Sequence, residues 1–162
     1  MRILSIDSGL ERTGYAVFEK GPEFPEGFKY KNSGLVLTKK TDTREKRLQV
    51  IYDNISSVFD KYLPEIIILE QLFFFNNQKT AIVVAQAQGV ILLLAAQKNI
   101  PVHFFTPLQI KQIITGYGQA DKKAVQKMLR LTLRLDRELE QDDVADAIAS
   151  GLAYCYTNQK LV

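Results

Sequence analysis

Residues 66–80 read IIILEQLFFFNNQKT, and the reading of the first five decides the fold. Ile66 to Leu69 form an unbroken apolar run bounded upstream by Pro64, and Glu70 closes it. A run this short and continuous predicts a strand covered on both faces, as in the middle of an α/β sheet. An acid ending such a strand is not a typical solvated residue. Phe73, Phe74 and Phe75 then follow among Gln71, Asn76, Asn77, Gln78 and Lys79, which puts aromatic rings in a polar loop.

Working outward, residues 2–6 and 14–18 predict two strands joined by a turn around Ser8-Gly9 and Thr13. Gly21-Pro22 through Gly27 forms a loop, and residues 28–37 a third strand. Residues 42–62 predict a helix, because Leu48, Ile51, Tyr52, Ile55, Val58, Phe59 and Tyr62 recur at three-to-four spacing on one face. Residues 102–106 make another short strand. Thr106-Pro107-Leu108-Gln109 then has the form of a capping box with proline at the first helical position. Helices follow over 108–115, 122–133 and 142–156. Strands that pair first as a meander and later alternate with helices predict an α/β fold, a mixed five-stranded sheet with helices on both faces. Neither a repeat nor a linker interrupts the chain, so one domain is expected over 1–158 with a short tail at 159–162.

A helix over about residues 80–97 stands apart. From Ala81 to Ala96 its only polar side chains are Gln86 and Gln88. A surface helix would carry a polar face. This one is therefore central to the core or covered by a partner. In a chain of 162 residues a partner is the favoured cover, and a symmetric homodimer is its commonest form.

Composition narrows the chemistry. With 46% hydrophobic and 24% charged residues the chain is globular rather than disordered. The apolar segment 81–96 is too short and too broken for a membrane span, and the N-terminus has no signal-peptide core, so a cytoplasmic protein is expected. Cys155 is the single cysteine and His103 the single histidine. An internal disulfide is excluded, and a metal would have to be bound by oxygen, which points to Mg²⁺ or Mn²⁺. His103 falls within a strand and reads as structural. Residues 71–130 hold seven Lys or Arg against the lone Asp121, a net +6, whereas 131–162 carry a net −3. A basic middle beside an acidic end suggests a polyanion partner near a carboxylate cluster.

The acids supply that cluster. Asp7 and Glu70 both end strands, where ligands gather in open α/β sheets, and they lie side by side if those strands are neighbours. In Asp142-Asp143-Val144-Ala145-Asp146, residues three or four apart share a helix face, so Asp146 converges with Asp143 or with Asp142. Two like charges about 4 Å apart repel by roughly 4 kcal/mol at an effective dielectric near 20. Three or four gathered acids are costly unless a divalent cation reverses the sign. Two such ions between carboxylates form the arrangement used for attack of water on a phosphodiester.

Five ordered motifs carry a resemblance: IDSGLERTGYAV, ILEQLFFFNN, QAQGV, KQIITGYGQADK and DDVADAIA. Over nearly the whole chain they resemble the RuvC-type Holliday junction resolvases, which have a ribonuclease H-like fold. The resemblance implies a homodimeric, Mg²⁺-dependent endonuclease with two ions per active site, Mn²⁺ being a possible substitute. It further implies paired symmetric nicks in a four-way DNA junction during recombination and repair, leaving 5′-phosphate and 3′-hydroxyl ends. Catalytic, metal-binding carboxylates are implied at Asp7, Glu70, Asp143 and Asp146. Asp142 departs from the family pattern, as a partial ligand or a helix cap. DNA contacts are implied at Lys111 and Lys122, with Gly116-Tyr117-Gly118 as a flexible turn letting backbone approach phosphate, and Lys123 and Lys127 as extensions. Phe73 matches the family's aromatic that stacks at the junction centre, with Phe74 a further candidate DNA contact. A RuvA–RuvB branch-migration complex is the implied partner delivering the junction.

Other readings compete. Asp7-Ser8-Gly9 through Thr13-Gly14 also resembles the phosphate loop of actin-like ATPases, which need two such domains around a nucleotide. A non-catalytic junction-binding module would not need four acids. A ribonuclease H-like enzyme on another substrate, such as an RNA–DNA hybrid, would share the acids and lack the dimer.

Overall fold

The computed structural model describes residues 1–21, 27–72, 78–136 and 139–158. Three strands form first, β1 (Arg2–Asp7), β2 (Arg12–Glu19) and β3 (Lys29–Leu37). They are followed by α1 (Arg44–Tyr62), β4 (Ile66–Glu70), α2 (Gln78–Gln97) and β5 (Val102–Phe105). The chain closes with α3 (Pro107–Thr115), α4 (Lys122–Leu133) and α5 (Asp142–Thr157). Strand order is β3-β2-β1-β4-β5, antiparallel in the meander and parallel from β1 through β5. This is the mixed five-stranded sheet the sequence predicts.

Local chemistry sets the boundaries. Thr106 caps α3, its hydroxyl accepting from the Gln109 N–H while the Gln109 side chain accepts from the Thr106 N–H. Asp121 caps α4 by accepting from the Ala124 N–H. Gly9 lets the β1–β2 turn close, since a Cβ there would lie 2.4 Å from the Arg12 carbonyl oxygen. The buried Thr13 hydroxyl donates back to the Gly9 carbonyl at 2.7 Å.

Two cores sandwich the sheet. Leu4, Ile6, Val17, Ile67 and Leu69 face α1 and α2, packing on Ile51, Ile55, Phe59, Ile91 and Leu94. Ile3, Ala16, Phe18 and Ile68 face α5, with Ile110 of α3 and Leu129 of α4 completing that side. The unbroken run 66–69 is thus buried from both sides.

Against the sheet, α2 buries Ala87, Gln88, Ile91, Leu94 and Ala95. Its opposite side is exposed and apolar but for Gln86, with Ile82 at 54%, Leu92 at 37% and Leu93 at 54% accessibility, and Gly89 facing open space. The helix is therefore not internal, and among the described residues its second face has no cover. No helix among the described residues is long and apolar enough to cross a membrane.

Candidate active site

Strand periodicity selects which side chains meet. Successive side chains alternate between faces, so Ile3, Ser5 and Asp7 of β1 share the α5 face with Arg12, Gly14, Ala16 and Phe18 of β2. Glu70 follows Ile68 onto the same face. β1 and β4 pair in parallel through Ile6 and Leu69. Asp7 and Glu70 are the next positions along, side by side at the carboxyl ends of the two central strands.

Two glycines bring α5 down onto them. A Cβ at Gly14 would lie 2.0 Å from the Asp143 carbonyl oxygen, and Gly14 is the register partner of Asp7. One at Gly151 would meet the Phe18 ring at 2.4 Å and the Ser5 hydroxyl at 2.5 Å. That hydroxyl donates to the Ala147 carbonyl at 2.7 Å, tying helix to strand between the glycines. The start of α5, with Asp142, Asp143 and Asp146, is thereby laid over Asp7.

The carboxylates feel one another. Burial, together with the charges of Asp146, Glu70 and Asp143, pushes Asp7 up to about 7. Burial and the charge of Asp146 push Glu70 up to about 7, with Lys111 opposing. Burial likewise raises Asp146, although Lys122 works against it. The structure therefore brings Asp7, Glu70 and Asp146 together, with Asp143 at the margin. A cleft of about 230 Å³ opens beside them, lined by Glu70, Asp146, Lys111, Lys122 and the apolar Pro107, Ile110, Val125 and Ala149.

Three mutually repelling, partly buried carboxylates are an all-oxygen donor set with excess negative charge. In chemistry they fit a hard divalent cation. Their present geometry is looser: among the described residues no three acids, His or Cys are grouped closely enough to hold an ion as they stand. Two cations occupy the acids instead. The Arg12 Nε donates to the Asp143 carboxylate at 2.5 Å. The Lys122 ammonium reaches Asp142 at 3.2 Å and Asp146 at 3.4 Å.

Several sequence expectations need restating against these positions. Asp142 is not the N-cap, which is Gln141; it anchors Lys122 and accepts from the Gln126 side chain. Gly116-Tyr117-Gly118 is not a loose turn. Gly116 takes a left-handed conformation, φ 79°, to end α3. The Gln112 side chain then donates to the Gly116 carbonyl and accepts from the Gly118 N–H, at 2.8 and 2.9 Å, so the loop is pinned. His103 is exposed on the edge strand β5, its ring edge-on to Phe105 and Tyr154. Phe73, Phe74 and Phe75 lie outside the described residues.

Three participants escaped sequence reasoning. Arg12 reads as part of a turn until the strand register puts it on the α5 face. Gln88 reads as a polar interruption of an apolar helix, yet it is buried and donates to the Glu70 carbonyl at 2.9 Å, fixing the end of β4. A buried amide on an apolar helix was the available signal, since it must find a partner. Gly14 gives no such signal, because any glycine after a turn looks alike in sequence.

Comparison with known proteins agrees with this geometry. A family described as "Crossover junction endodeoxyribonuclease RuvC" matches residues 3–155. Proteins of that name from Thermomicrobium roseum and Thermosipho melanesiensis are 43% and 44% identical, covering 96% of this chain and 92% and 96% of their own lengths. The solved structure "T. thermophilus RuvC in complex with Holliday junction substrate" superposes with a TM-score of 0.88 at 28% identity, covering 98% of this chain and 95% of that one. A Fowlpox virus resolvase, solved with its Holliday junction DNA, shares the fold with a TM-score of 0.62 at 18% identity, over 96% of this chain and 99% of its own. With its motifs in order, its strand-end acids gathered under α5 and residues 3–155 matched, this chain belongs to the RuvC family of crossover junction endodeoxyribonucleases.

Proposed function

We propose that this protein is a homodimeric endonuclease of the cytoplasm that cuts four-way DNA junctions by Mg²⁺-dependent hydrolysis of one phosphodiester in each of two opposing strands. The observation that carries the reading is the convergence of Asp7, Glu70 and Asp146 on one face of the sheet, where burial raises the proton affinity of all three and the charge of Asp146 raises Asp7 and Glu70 further. Such a cluster is unfavourable alone and favourable around divalent charge.

Asp7, Glu70 and Asp146 would hold the metal, with Asp143 as a fourth donor. A bound ion supplies the activation of a water and the stabilisation of the departing 3′-oxygen. The side chains do the rest. Asp7 and Glu70 must be carboxylates to act as ligands, so they release protons as the ion binds, and binding strengthens with pH. Lys122 lies at the mouth of the cleft beside Asp146, where a scissile phosphate reaching the acids would meet its ammonium. Lys111 lines the same cleft beyond Glu70.

The substrate path would continue over the pinned loop at Gly116 and Gly118, where a preordered backbone costs little to dock against phosphate. It would run on along α4, where Lys123 and Lys127 border a groove of about 570 Å³ also lined by Leu131 and Leu139. The α2 face of Ile82, Leu92 and Leu93 is the natural dimer surface. A two-fold pair of sites at fixed separation suits a two-fold junction. The RuvA–RuvB branch-migration complex is the partner this reading brings with it.

The test compares cleavage of a synthetic four-way junction, an RNA–DNA hybrid and a linear duplex, with and without Mg²⁺. Metal-dependent, paired cutting of the junction alone is expected. Preferential cutting of the hybrid would move the protein to another ribonuclease H-like activity.

A further inference from the structure

Arg12 belongs to neither the carboxylate set nor the cationic path described above, yet its side chain pairs with an acid of the site. It begins β2 on the α5 face and gives its Nε proton to Asp143 at 2.5 Å. The pair is half-sheltered, with 41% of the arginine side chain and 26% of the aspartate accessible. Asp143 is thus turned to a cation in a site where, among the described residues, no three acids are grouped closely enough for an ion. Lys122 holds Asp146 in the same way, but through a longer contact shared with Asp142. A guanidinium stays charged at any physiological pH, so Arg12 cannot leave Asp143 by deprotonating. It can only be displaced.

We propose that Arg12 is a positioning residue that acts as a resident counter-ion for Asp143, holding the carboxylate away from the cluster until a divalent ion displaces it, and so setting the affinity of the site for metal. The inference rests on the metal-dependent reading of the acids. Without the ion, Arg12 offsets one negative charge among several and stabilises the empty arrangement. With the ion, the same guanidinium is a competing positive charge a few ångströms away. Arg12 therefore weakens metal binding while it stabilises the metal-free fold. A merely structural ion pair would do the opposite to metal affinity, because losing it would leave a ligand poorly placed.

The experiment is calorimetric titration of Mn²⁺ and Mg²⁺ into the wild type, Arg12→Gln and Arg12→Lys, with thermal melting of each protein metal-free and at saturating metal. Arg12→Gln is expected to melt a few degrees lower without metal and to bind Mn²⁺ about three- to tenfold more tightly. That is the size expected for removing one positive charge near a doubly charged ion in a half-exposed site. Arg12→Lys keeps the charge and is expected within about twofold of wild type, and it remains informative if the glutamine variant is too unstable to titrate. Unchanged or weaker Mn²⁺ binding in Arg12→Gln, or an Arg12→Lys protein that binds more tightly than wild type, overturns the proposal. A wild type that binds neither ion would instead remove the metal-dependent reading itself, so the two failures are distinguishable.

Discussion

The two faces of the sheet are built on opposite plans. On the α5 side the contact is made of small groups, Gly14, Gly151, Ala145, Ala147 and Ala149, and the backbones come close enough that a single added Cβ would collide. On the α1–α2 side the contact is made of large ones, Ile51, Ile55, Phe59, Ile91 and Leu94, and the helices stand off on their side chains. The close face is where charged groups are forced together. The distant face spends its apolar residues on both sides of α2 and leaves one side uncovered. The proposed function divides along the same plane: chemistry on the close face, where backbone proximity sets acids together, and assembly on the α2 face, where apolar surface stays exposed.

Four substitutions or conditions test that division. The largest effect is expected from Asp7→Asn, which removes a central carboxylate but keeps its shape. Junction cleavage in Mg²⁺ should fall by about 10³-fold or more while junction binding persists, on the scale of losing a group that acts in the transition state. Near-normal turnover would detach the close face from the chemistry.

Next is Leu93→Glu on the outer side of α2. Burying a charge in an apolar two-fold contact should weaken the dimer by about 100-fold or more, visible as monomer in sedimentation velocity at micromolar concentration. The monomer's melting should change little, because Leu93 touches water in the single chain. An unchanged sedimentation profile would show that assembly uses another surface.

Gly14→Ala strikes the close face through packing alone. Its new methyl would push against the backbone of Asp143, so a loss of roughly 1–3 kcal/mol in stability is expected, with cleavage falling further than stability explains. The discriminating control is an alanine at Gly89, whose Cβ would meet nothing among the described residues. Equal damage at both positions would argue against close approach as the organising feature.

The smallest effect is the pH dependence of the metal-free protein. Asp7 and Glu70 are held up to about 7 in the fold, whereas an unfolded carboxyl titrates near about 4. Between these values the folded state keeps protons that the unfolded state releases. Stability is therefore greatest at the acid end of that window and declines as pH rises through about 7. Stability at pH 5 should exceed that at pH 8 by about 1–2 kcal/mol after solvent screening, read as a higher melting temperature at pH 5. Asp7→Asn should shrink the difference and melt higher than wild type at pH 8. Saturating Mg²⁺ should restore stability at pH 8, since an ion bound only by the folded state stabilises it.

Much of this was open to inspection in the residues. The unbroken run at 66–69, the capping box at Thr106, the three-to-four spacing through α1 and the polar breaks between elements are local signals. The elements they predict begin and end within two residues of those observed. Acids at strand ends and at a helix start announced themselves because each is an unusual place for a charge. The uncovered face of α2 was also readable, as a helix apolar nearly all round. What stayed hidden depends on pairs far apart in sequence. Arg12 and Asp143 are 131 residues apart, Ser5 and Ala147 are 142 apart, and no spacing rule joins them. Nor did sequence reveal that Asp142 would serve Lys122, or that Gln112 would stiffen the loop at Gly116.

By itself the sequence determined which segments become strands and helices, which side of each is apolar and which acids stand at element ends, because these follow from periodicity and from chemistry within a few residues. Only the tertiary structure decided that β1 and β4 are neighbours, that α5 settles on Gly14 and that Arg12 reaches Asp143. The physical reason is one of range: propensity and capping act along the chain, whereas repulsion among carboxylates and its relief by a cation act through space. Their sign cannot be known until packing has set who stands beside whom.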